Sequence, residues 1–153
     1  MEWIAQLQGK VVGLDTAPLI YFIEQNPKYL EMMLLFFKSF NRGDFRIVTS
    51  TVTLVEVLVH PLRQKNTALA QEYREILMNQ ESLTVVELTP DIAETAAQLR
   101  ATYNLRSPDS IQMATAICEG ASFFLTNDAR LPSLPKLTVL VLENLRNCGI
   151  IIG

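Results

Sequence analysis

Four carboxylates stand at points where alternating strands and helices would bring polar side chains together. Asp15 directly follows the apolar run Val11–Leu14 (VVGL). Glu56 lies in the otherwise apolar stretch Thr53-Leu54-Val55-Glu56-Val57-Leu58-Val59, one turn into the helix expected after the run Phe45–Thr49. Asp109 follows Ser107-Pro108 at a helix start, and Asp128 lies two residues beyond the run Ser122–Thr126. Acids gathered at one place repel one another, and their pKa values rise unless a cation neutralises them. An all-oxygen set of this kind suits Mg²⁺ or Mn²⁺.

Each acid also has a plainer reading. Asp15 could be a turn or cap residue, Asp109 a complement to a helix dipole, and Asp128 a turn residue in Thr126-Asn127-Asp128. Glu56 is expected to be half-buried in its apolar helix. An unpaired buried charge is costly, so a cation or a protein partner must satisfy it. Asp91 and Glu143 read as dipole complements and Asp44 as a turn residue.

Other chemistries find few residues to use. The 153 residues contain one histidine, His60, and two cysteines, Cys118 and Cys148, too few for a zinc site of the usual N/S type or a disulfide framework. Both thiols are expected to be buried or incidental in a reducing compartment. No G-x-S-x-G motif is present, and the six glycines are not clustered into a phosphate loop. Hydrophobic residues make up 49% and charged residues 19%, which excludes a disordered chain. The first ten residues lack the basic start and apolar run of a signal peptide. The most apolar stretch, Tyr29–Phe40, is interrupted by Glu31 and Lys38 and is far short of the ~20 residues that span a bilayer. No membrane association and a cytoplasmic location are therefore expected.

The elements that must position the acids follow from pattern and punctuation. Strands are expected at Val11–Leu14, Phe45–Thr49, Leu83–Leu88, Ser122–Thr126 and Thr138–Leu142. Between them, Thr16 caps a helix running to about Gln25, and Pro27 starts another reaching Asn41. Ser50 and Thr51 cap a helix that should stop at His60, before Pro61. Asn66–Asn79 forms the next, with Ala70, Tyr73 and Leu77 on one face. Thr89-Pro90-Asp91 opens a helix whose apolar face is Ile92, Ala96, Leu99 and Tyr103. Ser107-Pro108-Asp109 caps and opens a helix that Gly120 ends. This alternation predicts an α/β domain with a mostly parallel, about five-stranded sheet covered on both faces. Ligands of such sheets bind outside the carboxyl ends of the strands, the edge where all four acids fall.

With these residues in view, the chain resembles the PIN-domain family, and most closely its VapC-like toxins of toxin–antitoxin pairs. Val12-Gly13-Leu14-Asp15-Thr16-Ala17-Pro18-Leu19-Ile20 is similar to the family's first strand and Asp-Thr turn. Ser50-Thr51-Val52-Thr53-Leu54-Val55-Glu56-Val57 is similar to its Ser…Glu helix. Pro108-Asp109-Ser110-Ile111-Gln112-Met113-Ala114-Thr115-Ala116 is similar to its Asp-plus-Ala-x-Ala helix, and Phe124-Leu125-Thr126-Asn127-Asp128 to its strand ending in Thr-x-Asp. One departure is Ala17, where many relatives carry a small polar residue. The resemblance covers about 11–142 of a single domain, 1–153, and implies a three-layer α/β/α PIN-like fold.

The resemblance also implies an activity, that of a metal-dependent endoribonuclease. Asp15, Glu56, Asp109 and Asp128 would hold one or two Mg²⁺ or Mn²⁺ ions. A metal-activated water would attack an RNA phosphodiester in line and leave a 5′-phosphate and a 3′-hydroxyl. Thr126 would orient Asp128 or the water, or be a plain strand-end residue. A PIN-like module that binds RNA or an antitoxin without cutting is the alternative. A Mg²⁺-dependent phosphotransfer or phosphatase domain is a third reading, but Thr16-Ala17-Pro18 supplies neither a second Asp nor a Lys. Nine of the twelve residues in Tyr29–Phe40 are apolar. That fits an internal helix, or a surface for a homodimer or a small antitoxin protein, partners that the family commonly has. Candidate phosphate contacts are Arg106, Arg130, Arg42, Arg46 and Lys136, which could equally be ordinary surface charge. The net charge of −3 argues weakly against a nucleic-acid partner. Setting the four acids apart from the 16 leaves 12 against 13 basic residues, so RNA binding is expected to be weak without metal.

Overall fold

The computed structural model describes residues 1–79 and 81–152, with side chains through residue 147. Five strands form one sheet: β1 (Val11–Leu14), β2 (Arg46–Ser50), β3 (Leu83–Val86), β4 (Phe123–Thr126) and β5 (Thr138–Val141). Their order is β3-β2-β1-β4-β5, and every pairing is parallel. In register, Val12 lies beside Ile47 on one side and Phe123 on the other. The chain first builds outward from β1 through β2 to β3, then returns to add β4 and β5 on the opposite side. The order therefore reverses between β1 and β4, and a crevice opens at their carboxyl ends.

Eight helices complete the described residues: α1 (Glu2–Ala5), α2 (Thr16–Ile23), α3 (Leu30–Asn41), α4 (Thr51–Arg63), α5 (Thr67–Met78), α6 (Pro90–Tyr103), α7 (Ser107–Cys118) and α8 (Leu142–Ile152). Successive side chains of a strand face opposite sides of a sheet. Accordingly Val12, Leu14, Ile47 and Leu125 join a core with α1 to α5, while Val48 and Phe124 join a second core under α6 and α7. Gly13 faces α7. A Cβ at this position would lie 2.7 Å from the Ala116 Cβ and 2.9 Å from Phe124 Cδ1, so α7 rests almost directly on the β1 backbone.

The structure departs from the sequence expectations at several points. The core reaches back to Trp3, Ile4 and Leu7, and Trp3 stacks on Phe36. The second long helix begins at Leu30 rather than Pro27. Asp15, not Thr16, is the N-cap of α2, and Arg106, not Ser107, occupies that place before α7 without a side-chain cap bond. Helix α4 continues through Pro61 to Arg63. Proline forfeits one helical hydrogen bond, but here the ring is buried and only two helical residues follow, so one lost bond near the end does not break the helix. Tyr103, at the frayed end of α6, and Cys118, in the last turn of α7, are exposed rather than buried. Cys148 falls outside the residues whose side chains are described. Helix α3 is buried through Met32, Met33, Phe36, Phe37 and Phe40 but leaves Leu34 and Leu35 exposed. No helix among the described residues is long and apolar enough to cross a membrane.

Candidate active site

The site begins where β1 ends. The Asp15 backbone N–H still donates across to the Leu125 carbonyl (2.9 Å), and the chain then turns into α2 with Asp15 as cap. One carboxylate oxygen of Asp15 accepts from the Thr16 N–H (2.8 Å) and the other from the Thr126 hydroxyl (2.7 Å). Thr126, fully buried at the end of β4, also accepts from the Asp128 N–H (3.0 Å). One hydroxyl thus joins the ends of the two central strands and shapes the turn that carries Asp128. Burial pushes the Asp15 carboxyl above its ordinary value, and repulsion from Asp109 and Glu56 adds to this; the bonds from Thr126 and Thr16 oppose it.

Glu56 reaches the same edge from α4, whose cap Ser50 accepts from the Val52 N–H (3.1 Å). Its Oε1 accepts a hydrogen bond from the Thr16 hydroxyl (2.7 Å). Glu56 is exposed, which corrects the expectation that it is half-buried. The apolar look of its stretch is misleading because α4 turns Val55 and Val59, as well as Glu56 and His60, toward solvent and buries only Thr53, Val57 and Pro61. Water and Thr16 satisfy the carboxylate.

Asp109 and Asp128 are held differently. Asp109, in the first turn of α7, accepts from Arg106 Nε (3.1 Å) while its own side chain is only 13% exposed. Asp128 takes a two-pronged contact from Arg130, through Nε (3.0 Å) and Nη2 (2.8 Å), and a third bond from the Arg130 N–H (3.0 Å). The Arg130 guanidinium holds the Asp128 carboxyl below its ordinary range. These four residues border a shallow cavity of about 240 Å³, with Tyr103 and Leu131 on its rim. Larger hollows of about 460 and 500 Å³ lie along α3, away from these acids.

The fold therefore brings Glu56 and Asp109 within electrostatic reach of Asp15, and sets Asp128 beside Asp109 and the turn that Thr126 ties to Asp15. Among the described residues, no three acids, histidines or cysteines are gathered closely enough to hold one ion; Asp109 and Asp128 are turned onto their arginines. The donor set itself is all carboxylate oxygen, centred on the half-buried Asp15 that Asp109 and Glu56 repel, which is the chemistry a hard divalent cation fits. Of the expected phosphate contacts, Arg106 and Arg130 lie at this edge. Arg42 and Arg46 precede or open β2, and Lys136 leads into β5, so these three sit at the amino ends of the strands, the opposite edge. Arg42 is bound to Asp44 and Ser39.

Sequence reasoning missed the buried polar residues beneath the acids. Gln112, Thr16, Thr53 and Thr49 are nine-tenths or more buried and hydrogen-bonded together. At the far side, Asn127 accepts from the Glu143 N–H (2.9 Å) and donates to the Tyr21 hydroxyl (3.1 Å). Glu143 itself is bound by Tyr29, Lys28 and Arg146, so it does more than complement a helix dipole. The available signal was a glutamine between Ile111 and Met113 on a helix otherwise built of small and apolar residues.

With this geometry established, comparison with known proteins is informative. The chain is similar to the VapBC2 structure from Rickettsia felis bound to a DNA fragment from the promoter (19% identity, TM-score 0.64, 86% of this chain and 98% of that one). It is similar to DNA-bound VapBC from Salmonella typhimurium (20% identity, TM-score 0.63, 87% and 98%). It is also similar to the sarcin–ricin-loop-cleaving toxin VapC20 of Mycobacterium tuberculosis (14% identity, TM-score 0.60, 74% and 86%). At such identities these likenesses speak for the fold. Comparison with curated proteins finds no match. The PIN-domain sequence profile matches residues 12–137, most of the chain and all five strands but the last. The chain belongs to the PIN-domain family.

Proposed function

We propose that the protein is a metal-dependent endoribonuclease acting in the cytoplasm as the toxin of a toxin–antitoxin pair. The observation that carries the reading is the Asp15 carboxyl, half-buried at the switch point and facing the charges of Asp109 and Glu56. A fold that gathers carboxylates where a ligand binds, with no counter-ion on the central one among the described residues, suits a cation. Asp15, Glu56, Asp109 and Asp128 are the residues that would hold one or two Mg²⁺ or Mn²⁺ ions. When bound, the ion supplies charge stabilisation at the phosphoryl oxygens and lowers the pKa of the attacking water.

The chain's own residues have separate tasks. Thr126 orients Asp15 and fixes the turn to Asp128. Thr16 orients Glu56. Arg106 and Arg130, largely exposed at the cavity, offer guanidinium groups to phosphates flanking the cut. The structural neighbours described as toxin–antitoxin complexes support an antitoxin protein as partner. The exposed Leu34, Val55, Val59 and Leu62 offer apolar surface for it or for a second copy of the chain.

The experiment is cleavage of single-stranded and stem-loop RNA with Mg²⁺ or Mn²⁺, with products mapped at their ends. Wild type should yield 5′-phosphates, and Asp15→Asn and Asp109→Asn should each abolish cleavage. Equal cleavage by all three proteins would trace the activity to a contaminant and remove the proposal. Metal binding with no cleavage of any RNA would favour the non-catalytic module instead.

A further inference from the structure

Helix α7 buries three polar side chains besides its site acid. Ser110 and Thr115 return their hydroxyl protons to carbonyls of their own helix, those of Ser107 and Ile111. Gln112, 2% exposed, does not. It reaches out of α7 to three other elements: the Ser50 N–H at the end of β2, the Thr53 hydroxyl on α4 and the Thr16 hydroxyl on α2.

The proton inventory of this cluster has one solution. Thr49 has a single hydroxyl proton, and it goes to the Leu14 carbonyl (2.8 Å). The 2.7 Å contact between Thr49 and Thr53 must then be donated by Thr53. Thr53 has no proton left, so it accepts from Gln112 Nε2 (2.5 Å). The second hydrogen of the same amide points to the Thr16 oxygen (3.3 Å), and the Thr16 proton goes to Glu56 (2.7 Å), which when ionised can only accept. The Ser50 N–H, on Gln112 Oε1 (3.4 Å), holds the amide the right way round. Turning that amide over would set its oxygen against two hydroxyl oxygens and its NH₂ against an N–H. No buried side-chain nitrogen or oxygen among the described residues is left without a partner.

The consequence falls on Glu56, an exposed side chain with no other protein partner among the described bonds. We propose that Gln112 is a positioning residue: it fixes the direction of the Thr16 hydroxyl and so holds Glu56 in one rotamer facing Asp15 and Asp109. Because Gln112 is anchored in α7, the same chain of bonds sets Glu56 relative to Asp109, one helix turn earlier. The inference builds on the nuclease reading for its purpose but not for its geometry.

The deciding measurement is made on the metal-free protein. Side-chain scalar couplings of Glu56 should report one rotamer in wild type and in Thr16→Ser, and rotamer averaging in Gln112→Met and Thr16→Val. Averaging in wild type, or a single rotamer retained in Gln112→Met, overturns the proposal. If Gln112→Met fails to fold, Gln112→Glu, which keeps the shape but removes the Nε2 donor to Thr16, gives the reading instead, and a single Glu56 rotamer there overturns the proposal. A second arm measures Mn²⁺ binding by calorimetry. Outer groups that orient ligands typically change metal affinity about 10–100-fold, and Gln112→Met should weaken Mn²⁺ to that extent. In a Glu56→Gln background it should add no further loss; additive losses overturn the coupling. A wild type that neither binds Mn²⁺ nor cuts RNA would end the nuclease reading, while the couplings would still decide the role of Gln112.

Discussion

The two halves of the acid cluster are built on opposite principles. The Asp15 half rests on neutral bonds: its carboxylate is capped by a backbone N–H and a threonine hydroxyl, and among the described residues no basic side chain is bonded to it. The Asp109–Asp128 half is paired with charge, and each acid there carries an exposed arginine as counter-ion. Accordingly the Asp15 carboxyl is driven above its ordinary value and that of Asp128 below it. Neutral hydrogen bonds fix direction without cancelling charge, whereas guanidinium groups cancel charge and can be exchanged. Under the proposed metal-dependent reading, the Asp15 half would be preset for a cation, and the arginine-paired half would be the part that gives way when one binds.

Removing the hydroxyl that ties the halves together should have the largest effect on stability. Thr126→Val keeps the shape but leaves a half-buried Asp15 oxygen and the Asp128 N–H without their protein partner, a cost of about 1–3 kcal/mol at most. Urea denaturation should show that loss, and RNA cleavage should fall with it; an unchanged midpoint would mean the two halves are not joined through Thr126.

A contrast in pH dependence is next in size. A carboxyl whose folded pKa is raised favours the folded state while protonated, so Asp15 costs stability as pH climbs from its ordinary 3.8 through its higher folded value. Asp15→Asn should therefore raise the melting temperature at neutral pH, by roughly 2–4 °C for each kcal/mol relieved. Asp128 has the reverse sign: its contribution is present above 3.8 and is lost as pH falls through its lower folded value. Asp128→Asn should slightly lower the neutral-pH melting temperature, with the difference from wild type closing as pH falls through the lower folded value of Asp128. Melting curves that shift the same way for both variants would erase the distinction.

The smallest effect should come from the outer counter-ion. Exposed ion pairs contribute little to stability, so Arg130→Gln should lower the melting temperature only slightly, by no more than Asp128→Asn, whose carboxylate it pairs. It should strengthen Mg²⁺ binding a few-fold at low salt, since the competing guanidinium is gone, and the gain should shrink as salt is raised. Weaker Mg²⁺ binding in Arg130→Gln would show that the arginine helps the cation instead of competing with it.

Much of the site's position was legible before the fold. Asp15 and Asp128 follow apolar runs too short for helices, and Asp109 follows Ser107-Pro108, so strand-then-acid reasoning put them at one edge, where they lie. The parallel order could be anticipated from alternation, although the sheet is wholly rather than mostly parallel. Glu56 was placed correctly but its exposure was not, because two valines occupy the solvent face of α4 and mimic a buried stripe. Arg42, Arg46 and Lys136 were offered as phosphate contacts on charge alone; their places ahead of strands already assign them to the other edge. The bond from Gln112 to Thr16 spans 96 positions and depends on how α7 sits against α2, which no local pattern encodes. Helix α1, four residues long, is too short to display a period.

The bare backbone at Gly13 ties the site to a residue that performs no chemistry. With 2.7 Å between its absent methyl and the Ala116 Cβ, enlarging either residue would pry α7 off β1 and carry Asp109 and Gln112 outward together. Alanine there has only one smaller substitute. In the history of such sequences these two positions are expected to vary as a pair or not at all, and drift at Gly13 would be recorded as lost alignment of acids that it never touches.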